Sequence, residues 1–307
     1  MGNARVKKRS KRDKSKISNF KNKFIYGDIA IKIISLIFMV VLLVALISIV
    51  NTDSKPSLDT TKTIDLFFLN LTDADSTIIR SKDKTILIDT GLEEDFKLID
   101  EKLEYLGVKT IDYLILTHPD KDHIGSASAL VTKYNIGQIY QSHFKKGSDI
   151  QVELDNIIEL KGIKNNIVIE VEEVYIDELK IKIIPGKLAN YTKDNDYSLV
   201  TLISYYNNNV LMAADIEETR IDELLKLNIG KVDILKVPHH GRYNYLSLNL
   251  LDTLNPEYAI VTSASANNKI VNFFQKIKTL VFYTPNGEIN IKLDGYRIDA
   301  SQRGIYE

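Results

Sequence analysis

The run THPDKDHIG at positions 117–125 places two imidazoles and two carboxylates, His118, Asp120, Asp122 and His123, within six consecutive residues. Imidazole nitrogen mixed with carboxylate oxygen is a donor set that divalent cations such as zinc and manganese accept. The chain has only five histidines, and two more of them stand together as His239 and His240 in the segment VPHHG. Concentrating a scarce residue type beside acids in this way points to a metal centre rather than to a solvated polar turn. Cysteine is absent, which removes thiolate ligands, disulfides and a cysteine nucleophile from consideration. The sequence also offers no G-x-S-x-G elbow, P-loop or dinucleotide fingerprint in a supporting context.

Side chains scattered over more than a hundred positions can converge only if regular elements deliver them. From Ile64 onward the chain is a succession of short β-branched runs separated by turn residues. Strands are predicted for IDLFFL from Ile64, STII from Ser76, TILID from Thr85, YLIL from Tyr113 and LKIKII from Leu179, and again over 199–204, 210–213 and 234–237. Asn207, Asn208 and Asn209 predict the hairpin turn between two of these. Phe96, Ile99, Leu103 and Leu106 share one face of a predicted helix closed by Gly107, and a second helix is predicted over 217–227. Such a mixture implies a layered α/β protein, with strands in sheets and helices outside them. The His-rich run leaves a strand end, where a loop can turn its side chains to one point.

The motif order resembles the metallo-β-lactamase superfamily, whose signature is H-x-[HD]-x-D-H-x-G, and within it the extracellular hydrolase domain of ComEC-type DNA-uptake competence proteins. The likeness is carried by THPDKDHIG, by Asp89-Thr90-Gly91, by NDYSLV from Asn195, by Ala214-Asp215-Ile216-Glu217, by PHHG and by YTPNGEINI from Tyr283. It implies an αββα sandwich over 64–307 and two divalent metal ions, zinc or manganese. His118 and Asp120 would hold one ion, Asp122 and His123 the other, with Asp215 bridging and His240 completing the second position. His239 would be a ligand or a phosphate contact, and with Asp122 a catalytic candidate. Asp89, Asn195 and Asp196 would stand behind the ligands, Asp89 fixing an imidazole tautomer. This sequence departs from the pattern at Leu71-Thr72-Asp73-Ala74-Asp75, where relatives have a VGQGD-like stretch, and at Ala214, where glycine is common. Where the third ligand of the first ion is usually histidine, it offers only Asp194, Asn195 and Asp196. A carboxylate-rich site is harder, which brings manganese into competition with zinc. His143 is expected on the surface, and Tyr243, Asn244 and Tyr245 beside the pocket.

Charge and hydropathy set the location. The first 27 residues hold ten Lys or Arg and one acid, and an unbroken run of apolar residues and serines fills 33–50. A run of this length crosses a bilayer core of about 30 Å, and its cationic flank places the amino terminus in the cytoplasm. The reading is a basic cytoplasmic tail over 1–28, one uncleaved transmembrane helix over 29–50, a linker over 51–63 and an external domain. After Val50 the chain carries 29 basic against 39 acidic residues, which disfavours a broad nucleic-acid surface. A pair of cations makes a bound water a nucleophile near neutral pH and suits phosphodiester, ester or amide alike. Three functions remain open: a membrane-anchored phosphodiesterase or nuclease acting on DNA, a hydrolase of a cell-envelope phosphoester, and a metal-poor scaffold in an uptake or envelope complex. A single span cannot itself form a channel, so an uptake role would call for a separate channel subunit.

Overall fold

The computed structural model describes residues 35–42 and 63–303. The chain divides into two units, Met1–Ser57 and Leu58–Glu307. In the first, residues 35–42 are helical with exposed side chains. Among the described residues no helix is long and apolar enough to cross a membrane. Apart from those eight residues, the span expected over 29–50 lies outside the described residues, as do the basic tail and nearly all of the linker.

The second unit is built on two sheets. The first contains, in spatial order, β15 (Ile298–Gln302), β14 (Ile289–Leu293), β1 (Ile64–Phe68), β2 (Thr77–Ser81), β3 (Lys84–Ile88), β4 (Thr110–Leu116), β5 (Asn135–Ser142) and β6 (Asn165–Val168). The other contains β13 (Leu280–Tyr283), β12 (Tyr258–Val261), β11 (Ile234–Lys236), β10 (Asn208–Met212), β9 (Val200–Tyr205), β8 (Leu179–Ile184) and β7 (Glu172–Ile176). Alternation along the strands sorts side chains to two faces. Ile64, Leu66, Phe68, Ile86 and Ile88 meet Ile181, Ile183, Val210 and Met212 in a core between the sheets. The intervening Phe67 and Leu87 turn the other way, onto the helices α1 (Phe96–Tyr105), α3 (Ala127–Lys133) and α4 (Asp149–Lys161). Leu211, Leu235 and Ala259 likewise cover α5 (Glu218–Lys226), α6 (Ser247–Leu254) and α7 (Asn268–Ile277). The result is the expected αββα sandwich. Each fully buried Leu, Ile or Phe contributes about 1.5–3 kcal/mol, so both sheets are firm platforms for the loops at their edges.

The predicted elements lie where their patterns put them, with local differences. Helix α1 buries Ile99 and Leu103 and ends on Gly107 at φ +67°. The hairpin turn falls on Tyr206 and Asn207, one residue earlier than predicted, and Asn208 and Asn209 belong to β10. Asn208 and Asn209 pair with Tyr205 and Ser204 across the ladder, and Tyr206 takes the left-handed conformation at φ 49°. Tertiary pairing fixes this register, and three consecutive asparagines cannot specify it by themselves.

Candidate metal centre

β3, β4 and β5 are mutually parallel, as are β10, β11, β12 and β13. The loops leaving the carboxyl ends of β3, β4, β10, β11 and β12 meet at one edge of the sandwich, the position at which open α/β sheets usually hold ligands. Asp89 follows β3, His118 and the short helix α2 (Lys121–Ile124) follow β4, Asp215 follows β10, the tandem histidines follow β11, and Thr262 follows β12. Several of these loops turn through left-handed backbone at non-glycine residues: Asp89 (φ 58°), Ala214 (φ 49°), His239 (φ 48°) and His240 (φ 52°). Such residues cost on the order of 1–3 kcal/mol each and persist where surrounding contacts impose them. Two glycines permit the close approach. A Cβ on Gly125 would lie 2.5 Å from backbone atoms of Leu92, Glu93 and Lys121, and one on Gly241, at φ +85°, would lie 2.7 Å from the Ala266 Cβ.

Asp122, His123, Asp215 and His240 each present one donor atom, all within 4.8 Å of one another. His240 Nε2 stands 3.1 Å from Asp215 Oδ2 and 3.3 Å from Asp122 Oδ2, and His123 Nε2 stands 3.5 Å from Asp215 Oδ1. His118 packs its ring 4.1 Å from that of His123. The Nε2 atoms of His118 and His123 are buried without a hydrogen-bond partner. A buried polar atom left unpaired costs about 1–3 kcal/mol, and two imidazoles so aimed among carboxylates are what a cation position requires. The residues present therefore fit a divalent ion at the second position. At the first, His118 Nε2 lies 4.0 Å from Asp120 Oδ2, but the other Asp120 oxygen accepts from Lys146 Nζ at 2.8 Å.

Hydrogen bonds behind the donors hold them. Asp89 accepts from the Thr117 amide and hydroxyl, both at 2.8 Å, and lies 2.8 Å from His123 Nδ1. That contact puts the His123 proton on Nδ1 and leaves Nε2 facing the cluster. Thr262 Oγ1 does the same for His240, 2.9 Å from its Nδ1. Replacing Asp89 with Asn is expected to weaken metal binding about 10- to 100-fold with little change in fold, measured by metal titration beside circular dichroism; unchanged affinity would reject the orienting role.

Charge in the cluster is tightly balanced. Burial works against ionisation of Asp215, but His123, Lys236 and His240 hold it well below the usual carboxylate range. Burial likewise opposes the charged form of His240, yet Asp215 and Asp122 push it up to about 9. Asp215 and Asp89 raise His123 against its burial, whereas burial drives His118 well below its ordinary value. Two rings this close cannot both carry charge cheaply.

His118, Asp120, Asp122, His123, Asp215, His239 and His240 are all brought to this edge. His239 lies at its rim: its Nε2 is 3.9 Å from Asp215 Oδ2, 3.3 Å from Asn195 Nδ2 and 3.1 Å from an Arg242 nitrogen. Asp196 is differently employed from the expectation. Its Oδ1 accepts from the amides of Glu217 (2.8 Å) and Arg220 (3.4 Å) and so caps the start of α5. His143 is half-buried rather than on the surface, its ring edge-on to Tyr197 at 5.3 Å.

Two participants were missed in the sequence. Asp75, from the stretch that departs from the VGQGD pattern, is buried with Oδ1 3.5 Å from His240 Nδ1 and Oδ2 3.9 Å from His123 Nδ1. Lys236, wholly buried, pairs with Asp75 Oδ2 and stands 3.3 Å from Asp215 Oδ1 and 3.1 Å from the Ala214 carbonyl. The sequence signal for Lys236 was a lysine inside the apolar run ILKVP, which must bring a buried partner. Beside His240 opens a cavity of about 470 Å³, lined by Asp73, Arg242, Tyr243, Ser263, Ser265 and Asn267 among others.

Known proteins are similar to this chain in sequence and in fold. The model of the metallo-beta-lactamase superfamily matches residues 69–262. The chain is 27% identical over 182 residues to ComE operon protein 3 of Bacillus subtilis, covering 57% of this chain and 23% of that protein. It is 27% identical over 197 residues to competence protein ComA of Neisseria gonorrhoeae, covering 62% and 26%. The chain thus spans about a quarter of the length of these relatives. Among solved structures it is similar in fold to the metallo-beta-lactamase fold protein YhfI of Bacillus subtilis, with a TM-score of 0.50, 10% identity, and 78% of this chain and 100% of that one covered.

Proposed function

Because the chain belongs to the metallo-β-lactamase superfamily of metal-dependent hydrolases, we propose that it is a membrane-anchored, extracellular phosphodiesterase, acting as a nuclease on DNA in an uptake system. The observation that carries hydrolysis is the convergence of Asp122, His123, Asp215 and His240 on one point. The word competence in a relative's name and the cationic flank of the 33–50 apolar run support the role and the topology. Bound zinc or manganese would supply a nucleophile from water near neutral pH and stabilise charge on the attacked phosphate.

The chain's own residues do the rest. Asp122, His123, Asp215 and His240 hold the metal, while Asp89, Thr117 and Thr262 keep the rings in place. Arg242, exposed at the cavity mouth beside His239, presents a guanidinium to an anionic substrate oxygen. An open pocket of about 470 Å³ beside His240 has room for one nucleotide-sized group, which favours a single-stranded or small substrate. The acidic balance of the domain argues the same way. That small cavity also favours, as a second reading, a cell-envelope phosphoester.

The test is hydrolysis of bis(p-nitrophenyl) phosphate by the full chain with manganese or zinc, followed by single-stranded DNA. Turnover that disappears in Asp122→Ala is the expected result. No turnover by the metal-loaded, unmutated chain on any ester would leave the scaffold reading; turnover on the small diester without DNA cleavage would favour the envelope substrate.

A further inference from the structure

The two halves of the centre are unequally furnished. At the second position four donors converge, while a buried, unpaired imidazole nitrogen stands at each position, His123 Nε2 at the second and His118 Nε2 at the first. At the first, His118 and Asp120 stand with no third imidazole. Asn195, at the place where that ligand would fall, is occupied elsewhere: its amide lies 3.3 Å from His239 Nε2 and 3.4 Å from Glu217 Oε1. The remaining acid of that segment, Asp194, lies 3.7 Å from the Lys146 ammonium, which is itself 2.8 Å from Asp120 Oδ1. One positive charge thus sits between the two carboxylates that could otherwise complete the first position.

We propose that Lys146 takes the charge role of a cation at the first position, so that the chain holds one divalent ion tightly, on Asp122, His123, Asp215 and His240, and a second only weakly. This rests on the metal-hydrolase reading but departs from two equivalent ions. Three consequences follow from the chemistry. An incoming dication at Asp120 must displace an ammonium and meets its repulsion. Lys146 is 40% exposed, so its hold on Asp120 is modest and a neutral replacement should alter affinity without disturbing the fold. And the second position, with no lysine on its Asp122 oxygens, should be indifferent to that replacement.

The experiment is metal content and manganese titration calorimetry on the full chain, purified without chelator, beside Lys146→Gln and Lys145→Gln. Lys145 removes the same charge one residue away but is paired with Asp155 at 2.8 Å. One tightly held ion per chain is expected in all three proteins, with a second, weaker ion whose affinity rises about five-fold or more only in Lys146→Gln. Two equally tight ions in the unmutated chain would overturn the proposal, as would an equal response to both substitutions or none to Lys146→Gln. Binding of no ion by any of the three would instead defeat the metal-hydrolase reading on which it rests.

Discussion

Replacing Asp215 with Asn is expected to release the tightly held ion and lower phosphodiester turnover by a factor on the order of 10³ or more, about 4 kcal/mol of barrier. The reason is the division of labour between its two oxygens. Oδ1 faces His123 Nε2 at 3.5 Å and Lys236 Nζ at 3.3 Å, while Oδ2 faces His240 Nε2 at 3.1 Å. An amide keeps the volume but surrenders the charge and one acceptor, leaving Lys236 Nζ and any bound cation without the carboxylate charge they face. The left-handed turn at Ala214 fixes where the side chain enters. Metal content and kcat are the quantities to measure. Retention of the ion with turnover within tenfold of the unmutated protein would show that Asp215 is not the centre of the constellation.

How much of this was legible in the sequence depended on whether a residue's role is local. His118, Asp120, Asp122 and His123 lie within six consecutive residues, so their density announced the site. The strands were readable because Ile64, Leu66 and Phe68 face one core and Phe67 another, which is the two-residue period itself. Asp75 was not readable, since its loop sequence departs from the familiar pattern and its role exists only after β1 and β2 bring it under His240. Lys236 hid inside a three-residue buried strand, where a lone charge has meaning only through acids that follow two other strands. Asp196 illustrates the converse error. An acid next to Asn195 read as part of the centre, but the nearest unsatisfied groups were the first amides of α5, and it bonds to those. Amides at a helix start are strong, local competitors for a carboxylate.

Lys236 supports the largest expected effect on stability. Its ammonium is fully buried and, although burial opposes the charge, Asp75 and Asp215 hold its pKa above the ordinary lysine value. Deleting one member of a buried ion cluster typically costs about 3–5 kcal/mol because the surviving charges lose their compensation. Lys236→Met keeps the aliphatic stem and removes only the charge, leaving Asp75 and Asp215 facing each other. For a domain of this size the loss corresponds to a fall in melting temperature on the order of 10 °C. The effect should be greatest in metal-free protein, since a cation beside Asp215 would restore part of the missing positive charge. Adding Asp75→Asn to Lys236→Met should recover much of the stability, by removing the carboxylate that the ammonium matched. Thermal unfolding of the parent, the single and the double variant, each with and without manganese, gives the six numbers needed. A single variant as stable as the parent, or a double variant no better than the single, would mean that Lys236 does not neutralise these acids in the folded protein.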